Sequence, residues 1–274
     1  MVIRENSGLN YEDPIEIDER IYWVGFSDEK HNLNCNPYLI VEGDEAVLID
    51  GGSRTDFSTV MMKILQTGVT PTNIEKLIYQ HYDPDLCGSI PDFEKIIDNE
   101  DLNIISHKYN NYYIRYYGGK LERKCIEEDL DFDWKFSTGR RLKFILTPYA
   151  HTPGSFITYD EKTKTLFTSD LFGSYYRNRE WELFLELKSK CYDCNSYDNC
   201  FYDKMECPIS KIINFHKNII PSKKALDYAL NKINKLPIKT IAPQHGSIIA
   251  NKKTIDYVIK KLNKINDIGI NRFL

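Results

Sequence analysis

Four short apolar runs in this chain each end on a side chain of the metal-ligand type. That repetition limits the fold more than any other feature. Lys76–Tyr79 leads into Gln80-His81, and Phe144–Thr147 leads into Pro148-Tyr149-Ala150-His151. Leu166–Thr168 leads into Ser169-Asp170, and Thr240–Ala242 leads into Pro243-Gln244-His245. After the last three, a glycine follows within one to three residues (Gly154, Gly173, Gly246), so the backbone turns there. A His or Asp just past one buried strand is usually solvated or packed. Several such events in order are what one sheet edge carrying a site requires.

The strand and helix signals fit such an edge. Arg20–Gly25, Pro37–Val41 and Ala46–Asp50 are β-branched and aromatic runs separated by Ser27–Asp28 and Glu42–Asp44. Asp56–Thr67 has helical spacing of Phe57, Val60, Met61 and Leu65, and Gly88–Ile97 reads as a second helix. The second half repeats the pattern. Arg141–Thr147 is a strand, and Ser155–Tyr159 with Thr165–Thr168 forms a hairpin around Asp160–Thr163. Ser222–Leu236 is a helix with Leu226, Ala229 and Ile233 on one face, Lys239–Ala242 is a strand, and Thr254–Ile265 is a closing helix. Two halves of strands followed by helices imply two sheets face to face with helices outside, an α/β (αββα) sandwich. No low-complexity linker separates the halves, so one domain over residues 1–274 is expected, with an insertion at about 188–210.

Composition narrows the classes. Apolar residues make up 42%, enough for a core, and the net charge of −4 is spread without a basic block. Nucleic acid and anionic membranes are therefore not expected partners. Met1 to Asp18 is polar and acidic, unlike a secretory signal, and no run approaches the roughly 20 apolar residues of a membrane span. A cytoplasmic protein is expected.

The densest chemical signal is His81-Tyr82-Asp83-Pro84-Asp85-Leu86-Cys87-Gly88. On a loop leaving a strand end, His81, Asp83 and Asp85 can converge. An imidazole with two carboxylates suits a divalent ion of N/O preference, iron, manganese or zinc. Two carboxylates brought together away from water need a cation beside them. With His151, Asp170 and His245 the set has six members.

These segments resemble the metallo-β-lactamase superfamily. Within it they are most similar to the di-iron core of flavodiiron proteins and oxygen-binding di-iron proteins. The resemblance runs from Ile21-Tyr22-Trp23-Val24-Gly25 through Leu48-Ile49-Asp50 to Pro243-Gln244-His245-Gly246, nearly the whole chain. Zinc hydrolases of the superfamily usually carry His-x-His-x-Asp-His, and the flavodiiron group has an acidic residue in place of the second His. Asp83 stands at that place, and a carboxylate there favours iron over zinc. The resemblance implies a first metal on His81, Asp83 and His151, a second on Asp85 and His245, and Asp170 as bridge. It further implies an oxidoreductase or sensor that binds O2 or NO. The alternative is a metal-dependent hydrolase with a bridging hydroxide; a third class is a non-enzymatic sensor. This chain departs from the family at Leu86, where a His usually serves the second metal. No Gly/Ser/Thr-rich loop to cradle FMN phosphate follows the core. Electrons are therefore expected from an external donor, a flavodoxin-like, rubredoxin-like or flavin reductase protein, or from the cysteine segment. A homodimer is left open.

Seven cysteines remain to be placed. Cys191, Cys194, Cys200 and Cys207 lie within one short span, as for a structural zinc or an iron–sulfur cluster, although the spacing matches no standard ferredoxin run. Cys35, Cys87 and Cys125 are isolated. Cys87 reads as a redox-sensitive thiol beside the site or, more commonly, as a small buried filler. His107 carries no motif. His31 and His216 are candidates to approach the site from outside the ligand set. Tyr112, Tyr113, Tyr116 and Tyr117 have helical spacing that suits packing or a lid.

Overall fold

The computed structural model describes residues 6–26, 34–176, 181–194 and 207–273. Its first sheet has seven strands in chain order. They are β1 (Ile15–Asp18), β2 (Ile21–Trp23), β3 (Tyr38–Glu42), β4 (Glu45–Ile49), β5 (Ile74–Ile78), β6 (Asn103–Ser106) and β7 (Arg123–Cys125). Pairing is antiparallel from β1 to β4 and parallel from β4 to β7. The second sheet joins β8 (Asp133–Lys135), β9 (Arg141–Leu146), β10 (Phe156–Asp160), β11 (Thr165–Phe167) and β12 (Thr240–Ala242). Its order is β12-β11-β10-β9-β8, with β11 and β12 parallel.

The period of two along the strands sorts side chains into layers. Tyr38 and Ile40 of β3, with Val47 and Ile49 of β4, join Phe144, Phe156 and Phe167 in the core between the sheets. The alternate residues Leu39, Val41, Ala46 and Leu48 face outward onto helix α1 (Phe57–Gln66). On the far side, Ile157, Tyr159 and Leu166 pack under α5 (Pro208–Ile219), α6 (Lys223–Ile233) and α7 (Lys252–Asn263). Both faces of both sheets are therefore covered, and the expected αββα layering holds. Leu226, Ala229 and Ile233 share the buried face of α6 as their spacing implies.

Some local expectations change. In α1 the buried positions are Val60, Met61, Lys63 and Ile64, whereas Leu65 is half exposed. Lys63 reaches under the helix to the backbone oxygens of Tyr11 and Gly25, and its Nζ lies 4.1 Å from the Trp23 ring centroid. Hydrogen bonds and an aromatic face thus offset the cost of burying an ammonium. The tyrosines lie on α4 (Lys108–Ile114) and the turn after it, and Tyr112, Tyr113 and Tyr116 are exposed rather than core packing.

Two short helices complete the path to the site. His81 leaves β5 into α2 (Pro84–Cys87), which begins with a proline, and α3 (Ile90–Ile96) follows. The proline's fixed φ and missing N–H suit the first helical position, so the turn begins immediately after Asp83. Among the described residues no helix is long and apolar enough to cross a membrane.

Candidate metal centre

All six sequence-selected ligands arrive at one end of the sandwich. His81 comes from the end of β5, Asp83 and Asp85 from the edge of α2, His151 from the loop after β9, Asp170 from after β11 and His245 from after β12. The turning backbone shows in the dihedrals: Tyr149, His151, Ser169 and Phe172 all have positive φ, with His151 at 126°. Non-glycine residues rarely hold such φ unless the surroundings impose it, and such strain gathers at functional sites.

The donors form two groups. His81, Asp83 and His151 bring one ligand atom each within 4.8 Å of one another. His151 Nε2 lies 3.0 Å and His81 Nε2 3.7 Å from Asp83 Oδ2. Asp85 and His245 form the second group, at 3.3 Å, and Cys35 joins them. Asp170 stands between, its Oδ2 3.8 Å from His151 Nδ1 and its Oδ1 3.5 Å from His245 Nε2.

The ring nitrogens facing away from the groups are committed. His245 Nδ1 donates to the Asn34 carbonyl at 2.8 Å, and His81 Nδ1 pairs with Ser169 Oγ at 2.7 Å. This leaves Nε2 of both rings for the site, the arrangement that orients metal-binding imidazoles. Gln244 Nε2 donates to Asp85 Oδ2 at 3.1 Å.

Electrostatics point the same way. Burial pushes the Asp85 carboxyl up, but the His245 hydrogen bond and the charges of His245 and His81 pull it well below the ordinary carboxylate range. Asp83 is likewise lowered, against burial, by His151 and His81. Burial would lower His151, yet hydrogen bonding to Asp83 and the charges of Asp170 and Asp83 raise it to about 9. His245 is raised further still, against burial, chiefly by Asp85. Asp83 and Asp85 are thus held charged by the imidazoles around them. Asp170 Oδ1 and His151 Nδ1 are buried without a hydrogen-bond partner. Unused donor atoms, imidazoles and carboxylates in this arrangement fit a pair of divalent ions of N/O preference.

Other residues settle into supporting places. Asp50 is buried beside the site and accepts from the Gln80 backbone and side-chain amides; burial raises its carboxyl to about 7. His216 accepts from Phe172 N at 2.9 Å and donates to the Ile212 carbonyl at 2.7 Å, so both its nitrogens are occupied. It pins the loop carrying Asp170 and is no ligand. His107 caps α4 and pairs with Glu127, while His31 lies outside the described residues. Cys87 is fully buried, which favours the filler reading. Leu86 is fully buried in the apolar layer between the first sheet and its helices.

The cysteine segment is divided. Cys191 and Cys194 are partly exposed, with their carbonyls held by Tyr257 and Lys261 of α7. Cys207 is buried at the start of α5, and Cys200 lies outside the described residues. Among the described residues, no three donors of this segment approach one another as the site donors do.

Cys35 is the donor that sequence reading missed. Nothing near it in sequence resembles a ligand motif; only the fold brings it to Asp85 and His245. Burial pushes its thiol up to about 11, so without a cation it is protonated.

Comparison with known proteins agrees with this fold. A family described as ODP family beta lactamase matches residues 33–246. The chemotaxis sensor ODP from T. denticola, in its apo state, superposes with a TM-score of 0.73 at 21% identity, covering 95% of this chain and 96% of that one. A structure described as a peroxy diiron species of chemotaxis sensor ODP gives 0.74 at 21% identity, covering 95% and 98%. Rubredoxin oxygen:oxidoreductase from Desulfovibrio gigas gives 0.72 at 17%, covering 92% of this chain and 61% of that one. In sequence, diflavin flavoprotein A 1 of Synechocystis is 28% identical over 148 residues, which is 54% of this chain and 25% of that relative. The chain thus spans about a quarter of the length of the diflavin relatives it matches. On the family match and the shared αββα architecture, the chain belongs to the ODP family of metallo-β-lactamase-fold proteins.

Proposed function

We propose that the chain binds two iron ions and, through them, O2 or NO. His81, Asp83 and His151 hold the first ion, Asp85 and His245 the second, and Asp170 bridges. The observation that carries this reading is Asp170, with carboxylate oxygens turned toward both groups and one of them buried unpartnered. Asp83, a carboxylate where hydrolases of this fold usually have His, favours iron.

When bound, ferrous ions supply the electrons with which a diatomic gas reacts. The chain's own residues do the rest. Ser169 and the Asn34 carbonyl orient His81 and His245. His216 fixes the loop that presents Asp170. Asp83 and His151 are partly exposed, so the gas enters on that side. The chemotaxis sensor and the rubredoxin oxygen:oxidoreductase among the similar structures support gas sensing and gas reduction respectively. For reduction, a flavodoxin-like, rubredoxin-like or flavin reductase partner supplies the electrons. The hydrolase alternative lacks comparable support among these relatives. The four cysteines belong to the reading as an iron–sulfur or zinc centre on their clustering alone.

The test is anaerobic purification, elemental analysis and Mössbauer spectroscopy, then absorption after addition of O2 or NO. About two irons per chain and a gas-dependent spectrum are expected. Stoichiometric zinc without iron, with indifference to both gases, would overturn the reading.

A further inference from the structure

Leu86 leaves the second ion with fewer protein donors than the first, and its side chain is buried in the apolar layer. The space on the other side of Asp85 is not apolar. Cys35 Sγ donates to Asp85 Oδ2 at 3.5 Å, and Cys35, Asp85 and His245 bring their ligand atoms within 4.8 Å of one another. Two of these three are already assigned to the second ion.

The position of Cys35 is built. Asn36 N donates to the Gln244 carbonyl at 2.8 Å, and Asn36 Nδ2 donates to the carbonyls of Pro243 and Gly246 at 3.1 and 2.9 Å. Trp23 Nε1 donates to Asn36 Oδ1 at 2.9 Å. On the other flank, the Asn34 carbonyl accepts from His245 itself. Cys35 thus sits between two residues fastened to the loop that presents His245. A β-carbon at Gly25 would stand 2.6 Å from the Cys35 carbonyl, so the segment has little room to shift away from the site.

We infer that Cys35 is a ligand of the second metal ion, its thiolate supplying the donor that Leu86 cannot. The inference rests on the dinuclear reading above. The thiol proton leaves to solvent as the metal–sulfur bond forms, with no change of oxidation state. The centre is then asymmetric: nitrogen and oxygen donors on the first ion, nitrogen, oxygen and sulfur on the second. Thiolate favours softer ions, so the second position should accept cadmium or zinc before the first does.

Cadmium-113 NMR of the metal-free chain, titrated with cadmium alone, separates the possibilities, because the resonance moves downfield with each thiolate bound. One signal in the nitrogen/oxygen range and one in the single-thiolate range are expected; a filled four-cysteine centre would resonate further downfield. Cys35→Ser should return the single-thiolate signal to the nitrogen/oxygen range, and Cys35→His should do so while retaining the second ion. Two nitrogen/oxygen signals in the wild type would overturn the role of Cys35 and leave the dinuclear reading intact. No signal in either of those ranges would overturn both. The wild-type spectrum decides the matter even if a variant fails to fold.

Discussion

The two donor groups flank Asp170 at similar spacing, yet the chain assembles them by different routes. His81 and Asp83 are two residues apart on one loop, and only His151 is imported. Cys35, Asp85 and His245 come from three distant segments; Asn36 hydrogen bonds fasten the first to the last, and Gln244 reaches Asp85. A local group inherits its geometry from one strand end. A dispersed group depends on tertiary contacts, and its chemistry can change with a single residue that no motif marks. Cys35, which only the fold brings to Asp85 and His245, illustrates such a residue.

The largest expected effect breaks the comparison by removing what the groups share. Asp170→Ala should lose metal from both, whereas His151→Ala and His245→Ala should each empty one; metal analysis after dialysis reads this. Full occupancy in Asp170→Ala would mean that the groups are independent. Leu86→Ala comes next. It should cost about 2–5 kcal/mol in chemical denaturation, as a cavity in an apolar layer does, with metal content unchanged. Loss of one ion instead would place Leu86 at the site.

Much of the first group was legible in the sequence. A strand end followed by alternating His, Asp and Asp needs no knowledge of the rest of the fold, and the loops of His151, Asp170 and His245 carry the same strand-end signature. Cys35 had no such signal, because its relation to Asp85 and His245 exists only through sheet packing. Strands β6, β7 and β8 also went unread. They are short, and Arg123-Lys124 and Asp133 give them charged outer positions that mask a period of two. Helix α5 was hidden because it starts at Pro208, directly against the cysteine segment. The half-exposed Leu65 and buried Lys63 reverse what polarity alone suggests, since Trp23 and two carbonyls make a place for the ammonium.

Smaller effects sharpen the difference. Ser169→Ala should weaken metal binding at the first group by about 10–100-fold, the usual cost of losing a residue that orients a ligand imidazole. Asn36→Ala should weaken the second group and spare the first; calorimetric titration with cadmium would resolve the two steps. Equal losses at both groups in either variant would deny their separate support.

The gentlest lever is pH. In the metal-free chain His151 is raised to about 9, so at neutral pH it carries a proton that an arriving ion must displace. Apparent metal affinity should rise by about tenfold per pH unit for each displaced proton, and the part due to His151 should level off above about 9, first at the group that His151 belongs to. Without metal, the protonated His151 stabilises the fold fully below its ordinary value of about 6.5, and this contribution is lost as pH rises through about 9. The metal-loaded protein should lack that decline. Thermal melts at pH 6 to 10, with and without metal, compare the two; parallel curves would show that His151 holds no metal.

The Asn36 contacts also impose an order of events on the newly made chain. Asn36 binds carbonyls 207 and 210 positions away, beyond the last strand. Such distant pairings close late, because the intervening chain must already be arranged for them to form. The His81–Asp83 loop can take shape once the first sheet exists, but the Cys35–Asp85–His245 group cannot exist until the final strand is docked. On the proposed reading, an ion at the second position would therefore report that β12 has docked, and would add its binding free energy to the contacts that join the early and late parts of the chain.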